Sequence, residues 1–402
     1  MRPAADIPGL RRAAKGALEA LGPLAPLAPP IAAISVLGLS LSMSLPLFAL
    51  LLEREGFSGT VIGLNSMAAP LAMVLSSPFM PRALRLLGLI RLTTIATVTV
   101  AITFTLIPFV EGLVLWTVLR SIWGICTTAL FFAVEFWVVA AAPAAARGRA
   151  IAVYAIVLSG TTTLGPLMIL VTGQVGALPF LVAAAIAILS LPVLARGAAT
   201  APDPEPEGTP KLAATLRFFV SDPALLWAVV LFGAIEYGML SLIPVWGVRS
   251  GMSAEAAVVL ISVFTAGAMV LLLPLGWAAD RFDPRRLLAL TAAISLAAPI
   301  AVAAVAPSAF GAALPMLLWG GFGAGLYTIA LTALGERYTG ARLAEANAAV
   351  TLAYGVGALL APGLLGLAMD RIAPPHGMLY GAAVAAALYL ALIFWRMARA
   401  KR

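Results

Sequence analysis

Charge is what this chain has least of. Of its 402 residues only 10% are Asp, Glu, Lys or Arg, against about a quarter in soluble domains. Hydrophobic residues make up 62% of it, and its mean hydropathy is +1.05. That composition excludes a water-soluble globular fold. There is one cysteine, Cys126, and one histidine, His376. A single cysteine excludes an intramolecular disulfide and a cysteine-built metal cluster. Cys126 reads as a small packing residue and His376, in APPHGM, as a solvated loop residue. Metal transport needs clustered soft ligands at helical spacing, and no two methionines stand four apart. No phosphate-cradling GxxxxGK[ST] is present, which argues against an ATP-driven pump. The apolar runs hold no nucleophile, base and orienting group at recognisable spacing. Neither an enzyme, a cofactor nor a bound metal is expected.

What the chain has is long apolar runs. They cover about 31–52, 60–80, 89–110, 112–136, 150–172, 175–195, 223–247, 254–276, 287–306, 309–334, 345–368 and 377–397. Each has the roughly 20 residues that a bilayer-spanning helix takes. The expected fold is therefore an all-α membrane protein with twelve transmembrane helices.

An even number of spans puts both termini on one side, and the positive-inside rule says which. With the termini in the cytoplasm, inside segments hold 21 Lys and Arg and outside segments only Arg54, Arg249 and Arg371. The +8 net charge is thus an orientation signal, and a nucleic-acid partner is not expected. Residues 1–30 read as a basic cytoplasmic tail without the pattern of a secretory signal, and 398–402 as a second tail. Residues 196–222 include the Pro- and Glu-rich APDPEPEGTP and read as a cytoplasmic linker. Its end, from Lys211 to Phe219, offers a short helix on the membrane surface. The linker separates an N-terminal six-helix bundle (31–195) from a C-terminal one (223–397).

The halves repeat. Adding 196 to Trp123, Gly124 and Pro166 gives Trp319, Gly320 and Pro362, and Gly56-Phe57-Ser58 returns 195 residues later as Gly251-Met252-Ser253. Two related six-helix bundles form an architecture of secondary transporters, with the substrate site at mid-membrane between the halves.

From about Ile31 to Arg396 the sequence resembles the major facilitator superfamily. The clearest carrier is GWAADRFDPRR, from Gly276 to Arg286, which is similar to the family's loop of Gly, three residues, Asp, Arg and a basic cluster. The resemblance implies that Asp280 and Arg281, with Arg285, help latch the cytoplasmic face. Asp283-Pro284 replaces the usual small residue, and the first-half loop SSPFMPRALRLLG has no acidic residue. Arg120 in LRSIWG matches the fourth-helix signature of Arg followed four residues later by Gly. Gly160, Gly165 and Pro166 resemble the fifth-helix signature associated with antiporters, and Pro362 lies in a similar pattern in the eleventh span. VEFWVVAAAPAAARGRAIAVY looks most like the YcaD-like bacterial branch, which implies no known substrate.

An ionisable group within a span is costly in hydrocarbon and is functional by default. Glu236 lies about 12 residues into the seventh span, roughly 18 Å from its inner end, and Arg120 roughly 12 Å from the outer surface. Since the family lines its cavity with the first and fourth helices of each half, Arg120 and Glu236 are expected to face each other, with Tyr237 beside them. Glu236 is then the proton carrier, and Arg120 pairs with it or with an anionic part of the substrate. Desolvation favours a neutral carboxyl and a nearby arginine the ionised one, so movement between such environments couples protonation to alternating access. The alternative is a fixed structural ion pair, or Glu236 bonded only to neighbouring hydroxyls.

Glu135 lies 15 residues beyond Arg120, about 22 Å along the axis. It reads as part of the cytoplasmic gate, paired with Arg147 or Arg149; Glu336 reads likewise in the second half. Trp123, Trp319, Tyr327, Tyr354 and Asn347 are available to line a cavity for a mostly apolar or aromatic substrate, although helix packing is the commoner role of such residues. Gly160, Gly165, Pro166 and Pro362 read as helix bends. The expected function is proton-coupled efflux of a small organic molecule by a monomer in a bacterial cytoplasmic membrane. The alternatives are proton-coupled uptake of a nutrient or vitamin-like solute, and a non-transporting scaffold or receptor with the same fold.

Overall fold

The computed structural model describes residues 27–141, 147–202, 212–279, 281–338 and 340–399. The first half consists of α1 (Ala28–Arg54), α2 (Gly59–Ser76), the short α3 (Met80–Leu87), α4 (Leu89–Leu106), α5 (Leu113–Ala141), α6 (Arg147–Thr172) and α7 (Leu178–Arg196). The second half holds the short α8 (Leu212–Ser221), then α9 (Pro223–Arg249), α10 (Ala254–Ala279), α11 (Pro284–Ala304), α12 (Ala309–Arg337), α13 (Gly340–Arg371) and α14 (Gly377–Arg399). Each apolar run falls mainly on one helix, the second continuing past α2 through a 3-10 turn into α3. Among the described residues eleven spans are long and apolar enough to cross a membrane, α2 and α3 forming one of them, while the apolar part of α6, Ile156–Thr172, is shorter.

The helices are apolar all round, as burial against both protein and lipid requires. Side chains such as Leu75, Val114, Val171 and Leu273 stand exposed, which suits a hydrocarbon surround. Hydroxyls within the spans return to their own helix: Thr93, Thr103, Thr161, Thr163 and Thr265 each donate to the carbonyl four residues earlier. That satisfies them without a partner helix.

The repeat is visible in local geometry. Gly56 and Gly251 take positive φ values of 79° and 90°, a region open to glycine at little cost. Two residues on, Ser58 and Ser253 accept the backbone N–H groups of Val61 and Ala256 and so cap α2 and α10. Gly124 of α5 meets the backbone of Ala69 on α2, and Gly320 of α12 meets the backbone of Phe264 on α10. The repeat thus places the same backbone-to-backbone crossing in both halves.

Within the first half α1 packs on α6 and α7, α2 on α5, and α4 on α5 and α7. Within the second, α10 packs on α12, α11 on α12 and α14, and α9 on α12 and α13. The halves meet chiefly where α2 packs on α13, α6 on α10 and α1 on α9, and the repeat relates the first two crossings to each other. The near end of the molecule is where α1 and α9 begin, and the far end is where they finish.

The linker is described only in part, residues 203–211 lying outside the described residues. Its end forms α8, which packs on α9 and α13. Asp222, at the α8–α9 junction, accepts hydrogen bonds from Arg337 at 2.6 Å and from the Tyr338 hydroxyl at 2.6 Å. The bond to Asp222 holds the Tyr338 phenol above its ordinary value. That contact is therefore intact below the usual phenol range, near 10, and lost only as pH rises beyond it. Asp222, Arg285, Arg337 and Arg396 line a small groove at the near end, within the second half.

Candidate functional site

The packing of α1 and α9 decides where solvent can reach. From Tyr237 to Gly247 every residue of α9 is buried, and on α1 the same holds from Ser42 to Leu50. The near halves differ: Ile31, Ala32, Ser35 and Leu39 on α1, and Phe232 and Glu236 on α9, are half-buried. The far half of the interface is sealed while the near half borders a cleft. Glu236 stands where the two regimes meet.

Glu236 accepts a hydrogen bond from the Tyr354 hydroxyl of α13 at 2.8 Å. One turn nearer the opening, the Phe232 ring lies 5.5 Å from that of Tyr327 on α12 and 5.8 Å from that of Tyr354. Three helices thus bring three tilted rings beside one carboxylate. Asn347 and Thr351, on the same face of α13 as Tyr354, are exposed below it. On the first-half side Glu135 of α5 is exposed and accepts from the Tyr154 hydroxyl of α6 at 3.4 Å. Tyr327 lies within electrostatic range of both Glu135 and Glu236. The side chains of Arg147 and Arg149, the partners expected for Glu135, lie outside the described residues.

Arg120 does not meet Glu236. It is 1% exposed, lies over the Phe48 ring at 5.0 Å, and donates to Asn65 at 3.1 Å. Its Nε and Nη2 have no partner among the described residues. Tyr237 lies within electrostatic range of both charges, and its hydroxyl too is unpartnered among the described residues. The reason is helical geometry: consecutive residues point about 100° apart, so Tyr237 turns to the first half and Glu236 to Tyr354.

Other expected site residues fall elsewhere. Trp123 and Trp319 do not line the cleft; they are 1% and 0% exposed, because each precedes the glycine at a helix crossing and is enclosed there. Gly165 abuts Ser42 of α1, and the carbonyl of Pro362 abuts Gly63 of α2, so these positions are close-approach sites in helices that run on unbroken through Pro166 and Pro362. Among the described residues nothing stands within 4 Å of a Cβ added at Gly160 or Gly276. Arg281, in the turn after α10, covers the ring of Trp277 at 4.3 Å, Glu336 is exposed, and Asp280 lies outside the described residues. His376 is not merely solvated, since its Nδ1 accepts from Trp246 Nε1 at 3.1 Å.

The far end carries a cluster that sequence reasoning missed. Arg249, at the end of α9, pairs with Glu53 at 2.7 Å and with Asp370 at 3.0 Å, and also donates to the carbonyl of Phe57. Asp370, at the end of α13, accepts the N–H groups of Gly59 at 2.9 Å and Thr60 at 2.6 Å. It thereby caps the positive end of α2 from the other half. Glu53 and Arg249 lie 196 positions apart, in opposite halves, each in the last turn of its helix. Opposite charges at the matching ends of two helices were the signal available in the sequence.

Replacing Arg249 with alanine leaves Glu53 and Asp370 facing each other without a counter-charge. Because the cluster is partly solvated, a cost of about 2 kcal/mol to the closed far end is expected, roughly a 30-fold change in its equilibrium with open forms. Spin labels at Glu55→Cys and Glu255→Cys, in a Cys126→Ser background, should report a longer and broader distance distribution in Arg249→Ala. An unchanged distribution would mean the cluster does not hold this end shut.

The sequence profile of the Major Facilitator Superfamily matches residues 31–362 and 259–402. A relative in Bacillus subtilis (strain 168), the uncharacterized MFS-type transporter YfkF, is 26% identical over 261 residues, 63% of this chain and 66% of that protein. Among solved structures, nucleoside transporter NupG aligns with a TM-score of 0.74 at 14% identity, covering 94% of this chain and 99% of that one. A bacterial homolog of the human lysosomal transporter Spinster, in an inward-facing and unoccupied conformation, aligns with a TM-score of 0.73 at 13% identity, covering 93% and 96%. These two likenesses show the fold. Together with the apolar helices, the family match makes this a multi-pass membrane protein of a transporter family rather than of an enzyme class, and the chain belongs to the Major Facilitator Superfamily.

Proposed function

We propose that the chain is a twelve-span secondary transporter that moves a small organic molecule by alternating access, coupled to protons, with efflux as its direction. One observation carries this reading: the α1–α9 interface is sealed and ion-paired in its far half, while its near half borders a cleft that reaches Glu236. An acid at the floor of a one-sided cleft is placed to be loaded from one side and, after the far cluster parts, unloaded to the other. The near end is the cytoplasmic side in this reading, supported by the sequence count of 21 Lys and Arg in the segments assigned to that side against three in those assigned to the other. The relative in Bacillus subtilis supports a bacterial cytoplasmic membrane, and membership of the YcaD-like branch rests on the motif around Glu135. Residues 31–195 and 223–397 are the two bundles and 196–222 the linker between them. Gly276, Asp280, Arg281, Arg285, Glu135, Arg147, Arg149 and Glu336 form the gate that closes the near end in the alternate state. The working unit is a monomer.

The test uses proteoliposomes with a pH-sensitive dye inside and an imposed pH gradient, challenged with a panel of small organic cations, anions and neutral solutes. A coupled transporter dissipates the gradient for its substrate and for few others. A scaffold or receptor leaves it intact for every solute, and that result would end the proposal.

A further inference from the structure

Among the described residues, the charges that the cleft offers are of one sign. Between the two ends of the helices the ionisable acids and bases are Arg120, Glu135 and Glu236. Arg120 is 1% exposed, shut in the sealed far half behind Phe48 and Asn65. Glu135 is exposed and Glu236 half-buried, both within electrostatic range of Tyr327. Each accepts from one tyrosine hydroxyl and neither has a cationic partner among the described residues. The walls between them are aromatic, with Phe232, Tyr327 and Tyr354 half-buried and mutually tilted by 46° and 44° about the central Phe232. Beside Glu236, the buried Tyr237 hydroxyl has no hydrogen-bond partner among the described residues.

We propose that the substrate is an organic cation with an aromatic or otherwise apolar body, its charge held at Glu236 and Glu135 and its rings against Phe232, Tyr327 and Tyr354. The proposal names the substrate class of the transporter and to that extent rests on the chain being one. Ring faces attract a cation through their quadrupole, and a carboxylate in a poorly solvated site gains most from a counter-charge that the ligand brings. An anion would meet two like charges and no accessible guanidinium or ammonium group among the described residues. A polyhydroxylated solute would need convergent donors and acceptors to replace its hydration, whereas this wall is mostly rings. A flat or bulky apolar cation meets each requirement.

Binding of tetraphenylphosphonium to the purified protein in detergent, by equilibrium dialysis against protein-free micelles, tests the proposal. Tetraphenylborate, the anion of nearly the same size and shape, is the comparison. Saturable binding of the cation is expected, with the anion at least about tenfold weaker, since steric fit is held constant and only charge changes sign. Glu236→Gln should weaken the cation by about tenfold or more and Glu135→Gln by a few-fold, as partners of a desolvated charge pair do. If Glu236→Gln does not elute as a folded monodisperse protein, Phe232→Leu replaces it, with a loss of a few-fold expected from the missing ring face. Equal affinity for the two ions, no saturable cation binding, or wild-type affinity in folded Glu236→Gln would each overturn the assignment. Charge-selective binding without any movement of the cation in proteoliposomes would uphold the site and reject transport. No cation binding, while another solute dissipates the pH gradient, would uphold transport and reject the substrate class.

Discussion

Glu236→Gln is expected to abolish concentrative transport while still allowing exchange of substrate across the membrane at concentrations high enough to fill the weakened site. If one proton moves per substrate, a gradient of two pH units supplies about 2.7 kcal/mol, enough for a steady-state concentration ratio of roughly 100. Glutamine keeps the shape and a hydrogen bond for the Tyr354 hydroxyl, which now donates to the carboxylate, but it has no titratable group to take up and release a proton. The ratio should therefore collapse to about 1, because an uncoupled carrier only equilibrates its substrate. Counterflow of labelled against unlabelled substrate is the control, since it needs the site and the conformational change but no gradient. A variant that still concentrates substrate to the wild-type ratio would show that Glu236 is not the proton carrier. Arg120 supplies no substitute explanation, because its guanidinium is buried over Phe48 and bonds to Asn65.

The second large effect is structural and lies at Gly320. A Cβ built there would overlap the carbonyl oxygen of Phe264, and a backbone atom can move aside only if its helix does. Helices within a membrane are held by close packing at small residues and not by a hydrophobic force between them. Separating α12 from α10 therefore forfeits the interface itself. Gly320→Ala should cost roughly 3 kcal/mol or more, and Gly320→Val should leave little folded protein in a detergent-solubilised, heat-challenged size-exclusion assay. Gly124→Ala, at the equivalent crossing on Ala69, should behave alike. Gly335 provides the contrast on the same helix, since nothing stands within 4 Å of an added Cβ. There alanine should be neutral or stabilising by up to about 1 kcal/mol, its ordinary advantage over glycine in a helix. Equal melting of Gly320→Ala and wild type would show that the crossing can relax.

These two positions differ in how far the sequence revealed them. Gly320 stood out beside Trp319 as a copy of Gly124 beside Trp123, and the structure adds that both pairs serve a crossing rather than a cavity. Glu236 was marked by its depth in an apolar run, although its partner was not. Arg120 was the natural counter-charge at similar depth, yet the hydroxyl that reaches Glu236 belongs to Tyr354, 118 positions away. Glu135 was assigned to a gate from its axial height alone, and the cleft it shares with Glu236 depends on which way α5 is turned.

The sequence by itself determined the membrane class, the positions of the apolar helices, the duplicated halves and the capped glycine turns at Gly56 and Gly251. Those features are local, set by helix length against bilayer thickness and by backbone freedom within a few residues. Only the tertiary structure decided that Glu53 meets Arg249, that Asp370 caps α2, and that Arg120 is sealed away from the cleft. Such pairings join helices more than 100 positions apart, and they depend on each helix's rotation about its axis. One residue turns a side chain by about 100°, and composition and spacing leave that rotation open until the helices pack.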